Sequence, residues 1–117
     1  MKTIYNDIIP VKGFAAINLF GILFVRKNVI FLTDRIINHE TIHTAQMKEL
    51  GYIGFYVWYL IEWIIKLAIY GKDSYRNISF EREAYSNENN NYYVSHRKKY
   101  SFFSYLFKKE VKDESKF

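Results

Sequence analysis

Apolar residues change their spacing along the chain, and these changes separate an N-terminal strand region from a helical remainder. Two apolar stretches, Val11–Ile17 and Ile22–Arg26, are joined near Asn18–Gly21, which predicts a short β-hairpin. From Arg35 to Leu50 there is no glycine or proline, and residues of one helical face recur three and four positions apart. This stretch predicts a helix, and Gly51 supplies its end.

Residues 52–70 form a nearly continuous apolar stretch of 19 residues. Glu62 and Lys66 interrupt it, and their spacing of four lets them pair on one helix face. The stretch is long enough to cross a bilayer, but a spanning helix would carry Glu62 near mid-depth, which is costly. We therefore expect a helix buried against the Arg35–Leu50 helix, and a transmembrane span is the alternative.

The rest of the chain, from Gly71 on, predicts one or two further helices. After the polar connection Gly71–Ser79, a helix starts with Ser79 suited to its N-cap, and the Asn-rich residues Glu88–Asn91 should end it. A last helix is predicted over Tyr92–Lys108, followed by a frayed charged tail at 110–117. The expected fold over 1–117 is a single, mostly α domain of the α+β class: a β-hairpin, two long helices and one or two C-terminal helices.

The predicted helix Arg35–Leu50 contains the pattern H-E-x-x-H at residues 39–43. Residues four apart share one face of a helix, so His39 and His43 are candidate ligands of a single Zn²⁺ ion. Glu40 is then the candidate general base for a water activated by that ion. Thr33 or Asp34 offers an N-cap, which supports the helical context that this motif requires. The alternative is a surface helix with two ordinary histidines.

A third ligand is required, and carboxylates near the start of the second predicted helix are candidates. Glu81 and Glu83 both fall in its first turn. They point about 200° apart because each helical residue turns roughly 100°, so only one of them can face the zinc. Both acids would also suit plain stabilisation of the helix dipole. His96 is a weaker candidate because it lies far along the chain, in a basic stretch.

The H-E-x-x-H motif followed by Glu81-x-x-Ala84 resembles the gluzincin metallopeptidases. The resemblance is closest to the group that includes membrane-associated prenyl-protein proteases, whose downstream helix carries E-x-x-A-D, and small bacterial H-E-x-x-H proteins are also similar. It implies that Glu81 is the third zinc ligand and that Glu83 is only the alternative. Tyr85 stands where this family has an aspartate that supports a zinc-binding histidine, so such support must be built differently here.

Other polar residues are candidates for supporting roles. Metal-bound histidines usually donate their second ring N–H to an acceptor, and Gln46 and Glu88 lie on suitable helix faces to provide one. Both would otherwise be solvated polar residues. A donor for the developing oxyanion is also needed in peptide hydrolysis, and the candidates from the sequence are Tyr85, Tyr92, His96 and Arg82.

Composition limits which metal sites and which binding partners are possible. The chain has no cysteine, which excludes disulfides and thiolate zinc sites. Its net charge is +5, and basic residues alternate with aromatic ones between Arg97 and Lys109. This segment would suit contact with an anionic membrane surface, although a helix with inward-facing rings is favoured. No nucleic-acid-binding module is recognised. No secretory signal is evident, so we expect a cytoplasmic protein or one at the cytoplasmic membrane face.

These features predict a zinc-dependent metallopeptidase that acts on a peptide or protein substrate. The strand before the motif helix would have a free edge able to pair with an extended peptide, or it would simply cover the helix. One alternative is a non-catalytic zinc-binding module acting at a membrane surface or on a protein partner. Another is a small transmembrane protein whose motif is coincidental.

Overall fold

The computed structural model describes residues 2–10, 16–28 and 32–107. A small three-stranded sheet is followed by helices, which confirms the predicted mostly α, α+β fold. The regular elements are β1 (Lys2–Asn6), β2 (Ala16–Leu19), β3 (Ile22–Arg26), α1 (Asp34–Glu49), α2 (Ile53–Tyr70), α3 (Ser79–Asn87) and α4 (Tyr93–His96), with 3₁₀ turns at Gly71–Asp73, Tyr75–Asn77 and Ser101–Tyr105.

The predicted hairpin is present as β2 and β3, which pair antiparallel. Its turn is shorter than expected, with Phe20 and Gly21 both at positive φ, as in the two-residue turns that match strand twist. Residues 11–15 of the predicted first strand lie outside the described residues. Strand β1 was not predicted; it pairs parallel with β3 and gives the strand order β1-β3-β2.

Helix α1 confirms the prediction for the motif segment. Thr33, and not Asp34, occupies the N-cap, where its hydroxyl accepts a hydrogen bond from the N–H of Ile36 at 3.2 Å. The helix ends at Glu49, and Gly51 follows at a φ of +67°, a conformation that glycine adopts at little cost. The H-E-x-x-H residues therefore lie in the middle of a regular, capped helix.

Helix α2 packs on α1, but the prediction that it is buried is only half correct. Its buried residues are Phe55, Glu62 and Lys66, which form one stripe, and most of its aliphatic residues are exposed. Lys66 Nζ lies 3.3 Å from Glu62 Oε2, as the spacing predicted. In the described part of the chain, one helix, Ile53–Asp73, meets the length and composition expected of a membrane span.

The buried Glu62 has a structural role at the start of α3. Both the backbone N–H and the hydroxyl of Ser79 donate to its carboxylate. The predicted cap was therefore wrong: Ser79 is the first residue of α3, Ile78 precedes it, and a carboxylate from α2 binds the free helix N–H. A negative charge at a helix N-terminus is favourable, so this contact fixes α3 against α2.

The predicted last helix over Tyr92–Lys108 is wrong. The chain forms only the short helix α4 and, after a break, the 3₁₀ turn Ser101–Tyr105. Arg97 is extended at the break, and its guanidinium binds Glu49 and Glu83. These tertiary contacts outweigh a weak helical pattern. Asn87 ends α3 where the Asn-rich stretch predicted an end, and the expected tail at 110–117 lies outside the described residues.

The hydrophobic core lies where α1, α2, α3 and the Ser101–Tyr105 turn meet. Phe80 is central, with its ring centroid 4.5 Å from that of Phe55 and 4.7 Å from that of Phe102. Met47 and Ile78 complete the buried cluster. Met47 and Phe80 come from the two helices that carry the predicted ligands, so this packing fixes how the faces of α1 and α3 meet.

Candidate metal centre

Three side chains from α1 and α3 converge at one point. His39 Nε2, His43 Nε2 and Glu81 Oε1 lie 3.1 Å from one another in all three pairs. All three residues are buried. The spacing of four on α1 places both imidazoles on the same face, and α3 brings the carboxylate against them. This group can hold a metal ion.

Both histidines have acceptors at their other ring nitrogen. Glu88 Oε1 lies 2.9 Å from His39 Nδ1, and Gln46 Oε1 lies 2.8 Å from His43 Nδ1. These are the contacts predicted for Gln46 and Glu88. With Nδ1 donating to these acceptors, Nε2 is the ring nitrogen of each histidine that is left to bind a metal ion.

The Glu88 contact is held by residues that bind both its side chain and its backbone. Arg35 Nη1 donates to Glu88 Oε2 at 2.9 Å, which leaves Oε1 for the histidine. Asn38 Nδ2 donates to the backbone oxygens of Glu88 and Asn90 at 2.8 and 2.9 Å. Asn38 therefore joins α1 to the end of α3 beside His39. His39 is thus supported by Glu88, and not by residue 85, which is a tyrosine.

The Gln46 contact depends on Glu83. Gln46 Nε2 donates to Glu83 Oε1 at 3.0 Å and to the backbone oxygen of Phe80 at 3.1 Å. With its amide nitrogen between two acceptors, Gln46 must turn its oxygen toward His43. Glu83, the alternative metal ligand, therefore does not belong to the group formed by His39, His43 and Glu81. Its carboxylate lies on the other side of α3, where Arg97 and the Tyr93 hydroxyl also donate to it.

The two oxygens of Glu81 have different partners. The hydroxyl of Tyr59, on α2, donates to Oε2 at 2.8 Å, so Oε1 alone faces the imidazoles. Burial by itself would raise the pKa of this carboxyl, but His43 and His39 lower it well below its usual range. Burial likewise disfavours the charged form of His43, but Glu81 outweighs it and raises the pKa of His43 to about 9.

This arrangement needs a cation at its centre. Two imidazole lone pairs and a carboxylate oxygen would repel one another at 3.1 Å unless a proton or a metal ion lay between them. Ligand atoms of a tetrahedral zinc with bonds of about 2.0 Å would lie about 3.3 Å apart, close to the observed spacing. Two histidines and one glutamate also form a known zinc donor set. The residues therefore fit the ion that the motif predicts.

Glu40 lies beside this group and faces a pocket. The pocket has a volume of about 600 Å³ and is open to solvent. Glu40, His43 and Glu81 form one part of its wall, and β2 and α2 form much of the rest. In the described ranges the Glu40 carboxylate accepts no hydrogen bond from protein. Burial raises its pKa, and His43 and His39 only partly oppose this. Glu40 is thus a carboxylate free to accept a proton.

The oxyanion donors suggested by the sequence do not line this pocket. Tyr85 packs its ring on His39, with centroids 4.6 Å apart, and the Arg76 guanidinium covers it at 3.8 Å. The Arg82 guanidinium is directed to Asn77 and to the backbone of Tyr105. Two more candidates, Tyr92 and His96, are exposed. The sequence could not show this, because spacing along the chain carries no information on where the pocket opens.

Three residues of the site were not predicted from the sequence: Asn18, Tyr59 and Tyr75. Asn18, on β2, donates to the Glu40 backbone oxygen and to Thr44 Oγ1, both at 2.9 Å. A polar residue within an apolar strand was the available signal for it. Tyr59 and Tyr75 belong to a chain with 11 tyrosines, and nothing local distinguished them. Tyr75 lines the pocket together with Glu40 and His43.

Comparisons of the chain with protein-family models, with curated proteins and with solved structures find no match. The chemical interpretation of the centre therefore depends on its own geometry. What that geometry shows is a buried group of His39, His43 and Glu81 able to hold a metal ion, beside a free carboxylate in an open pocket.

Proposed function

We propose that the protein is a zinc-dependent metallopeptidase in which His39, His43 and Glu81 bind the ion and Glu40 is the general base. The convergence of the three ligand atoms at the edge of a pocket that Glu40 also lines is the observation that carries this proposal. Three protein ligands leave a fourth position for water or substrate, as in catalytic zinc sites.

The bound ion would polarise the scissile carbonyl and lower the pKa of water in the site. Glu40 accepts a proton from that water and then returns it to the leaving amine. Its raised pKa suits this exchange, because a stronger base takes the proton more readily and the acid so formed still releases it. Glu88 and Gln46 keep both imidazoles in the tautomer that directs Nε2 toward the ion.

Tyr75 is the candidate donor to the developing oxyanion. Its side chain lines the pocket with Glu40 and His43. Desolvation in the pocket wall and the negative charge of Glu81 raise the pKa of its phenol far above the usual range. The hydroxyl therefore keeps its proton, which it donates to Tyr85. It would have to turn from Tyr85 toward the pocket to donate to the oxyanion.

Strand β2 supports a peptide as the substrate. Its residues Ala16–Leu19 all line the pocket, and β3 is its strand partner on one side only. Among the residues that the structure describes, no strand occupies the other edge. An extended peptide would pair with this free edge through main-chain hydrogen bonds. The bond to be cleaved would then lie near Glu40, because Asn18 ties β2 to α1 at that residue.

The test combines metal content with peptide cleavage. We expect one zinc per chain in the wild type and cleavage of a mixed peptide library, followed by mass spectrometry. Glu40→Gln should keep the zinc and lose on the order of 10²–10⁴-fold in rate. Asp34→Asn is the matched control, since it removes an exposed carboxylate from the same helix and should change neither property.

Two outcomes would refute the proposal. A zinc-loaded wild type that cleaves no peptide in the library would show that the centre is not that of a peptidase. A Glu40→Gln variant that keeps both the zinc and the wild-type rate would show that another residue takes the proton.

A further inference from the structure

The outer face of α2 is aliphatic and is covered by no described residue. Nine large apolar side chains of this helix are each at least 39% exposed, and its two charged residues, Glu62 and Lys66, turn inward. Contiguous apolar surface of this extent marks a binding site in soluble proteins. The nine residues are Ile53, Val57, Leu60, Ile61, Trp63, Ile64, Ile65, Leu67 and Ile69.

The apolar face continues onto the end of the described chain. Phe103 packs its ring on Trp58, with centroids 5.3 Å apart; Phe103 is about half exposed, and Phe107 is almost fully exposed. Between α2 and this segment lies an open groove of about 620 Å³ whose lining includes Ile61, Ile65 and Phe107. A groove of this composition suits an acyl chain better than a polar ligand.

Among the residues that the structure describes, the exposed charges close to this face in the chain are positive. Lys48 and Lys72, near the two ends of α2, are exposed, and so are Lys98 and Lys99, which precede Phe103 in the chain. The acidic residues near the ends of α2 are not available to balance them. Asp73 is buried, and Glu49 is held in an ion pair with Arg97.

We propose that the outer face of α2, with Phe103 and Phe107, docks on an anionic lipid bilayer so that α2 lies in the plane of the membrane. A helix with an aliphatic face and basic flanks has the composition of an interfacial helix. A second copy of the chain fits less well, because packing two such faces together would bring lysines against lysines.

The orientation follows from the buried stripe of α2. Glu62 binds Ser79, and Lys66 donates to the backbone oxygens of Asn77 and Leu106. These contacts attach one side of the helix to the domain near its middle. The opposite side, where Leu60 and Ile64 lie, is the one that enters the lipid. Membrane docking does not depend on the metallopeptidase proposal, since none of these residues belongs to the metal centre.

The two tryptophans of the chain, Trp58 and Trp63, both lie on α2 and provide the probe. A Trp58→Phe variant leaves Trp63 as the sole tryptophan. With vesicles of phosphatidylglycerol and phosphatidylethanolamine, we expect a blue shift of its emission and quenching by brominated acyl chains. Vesicles of phosphatidylcholine should give weaker binding, and salt should weaken the anionic interaction.

Substitutions separate the apolar and the charged contributions in a vesicle co-sedimentation assay. Leu60→Ser with Ile64→Ser should weaken binding on the order of tenfold to a hundredfold, since two half-exposed aliphatic side chains are lost. Ile37→Ser, at a similarly exposed aliphatic residue on α1, is the matched control and should bind as the wild type does. Lys98→Gln with Lys99→Gln should weaken binding to anionic vesicles on the order of tenfold.

Absence of Trp63 quenching and of co-sedimentation with anionic vesicles would overturn the proposal. So would a stable dimer, detected by sedimentation velocity without lipid, that Leu60→Ser with Ile64→Ser dissociates, because the face would then bind a second copy. Glu40→Gln should bind vesicles as the wild type does. Loss of peptidase activity and loss of membrane binding are therefore separate results.

Discussion

Replacing Gln46 by leucine should weaken zinc binding without removing any ligand. Gln46 is fully buried on α1, between His43 and Glu83. Leucine has a similar size, so it fills the same space, but it offers His43 Nδ1 no acceptor. The imidazole is then free to exchange tautomers or to rotate, and its Nε2 lone pair is no longer held toward Glu81.

The expected loss in zinc affinity is about 10- to 100-fold, or about 1.4–2.7 kcal/mol. The structure favours the upper part of this range. His43 is only 5% exposed, so water cannot readily replace the lost acceptor. Glu83 is less affected, because Arg97 and Tyr93 still donate to its carboxylate. The substitution should therefore weaken zinc binding more than it lowers the stability of the fold.

The assay is competition for zinc between the protein and a chromophoric chelator of known affinity. Met47→Leu is the matched control, because Met47 is the next residue of α1, is also buried and makes no hydrogen bond to a proposed ligand. We expect its zinc affinity to stay close to that of the wild type. Wild-type affinity in a folded Gln46→Leu protein would refute the reasoning about His43. An equal loss of zinc affinity in Met47→Leu would show that the effect arises from altered packing of α1 and not from the lost hydrogen bond to His43.

Three further predictions test other parts of the centre. Glu81→Gln should leave the purified protein without zinc, whereas Glu83→Gln should retain zinc with reduced affinity, as measured by metal analysis. The reverse result would show that Glu83, and not Glu81, is the zinc ligand. Because the pKa of His43 is about 9 without metal, zinc binding at neutral pH must displace its proton. Zinc affinity should therefore rise with pH up to about 9. Calorimetry in buffers of different ionisation enthalpy should detect the released proton. A zinc affinity that does not change with pH in this range would show that zinc displaces no proton from His43. Asn18→Ala should lower the free energy of unfolding of the zinc-loaded protein in urea by about 1–3 kcal/mol while zinc content stays constant, and an unchanged unfolding curve would show that β2 is held by other contacts.

The parts of the fold that the sequence predicted depend on local rules. Helix α1 follows from its cap at Thr33, its uninterrupted helix-forming residues and Gly51. The shared face of His39 and His43 follows from helical geometry alone. The choice of Glu81 over Glu83 came from the resemblance to gluzincins, and the structure places the two carboxylates on different sides of α3.

The parts that were missed depend on contacts between residues far apart in the chain. Strand β1 pairs with β3 in parallel, and parallel pairing leaves no turn signal in the sequence. Arg97 ends the last predicted helix through contacts with Glu49 and Glu83. Tyr59 reaches Glu81 from α2. Such contacts arise from the packing of helices and cannot be read from periodicity.

Glu81 and Glu83 show why one part of the core requires a cation while its neighbour does not. Glu83 is fully buried, but the charge of Arg97 and donors from Gln46 and Tyr93 balance it within the protein. Glu81 has one neutral donor, Tyr59, at one oxygen and two imidazoles at the other. A buried carboxylate without a positive partner is strongly unfavourable, so the metal-free protein must keep a proton on this histidine pair. A divalent ion supplies the missing charge without that proton, and the folded state therefore favours metal binding most where the pH is high enough to free the imidazoles.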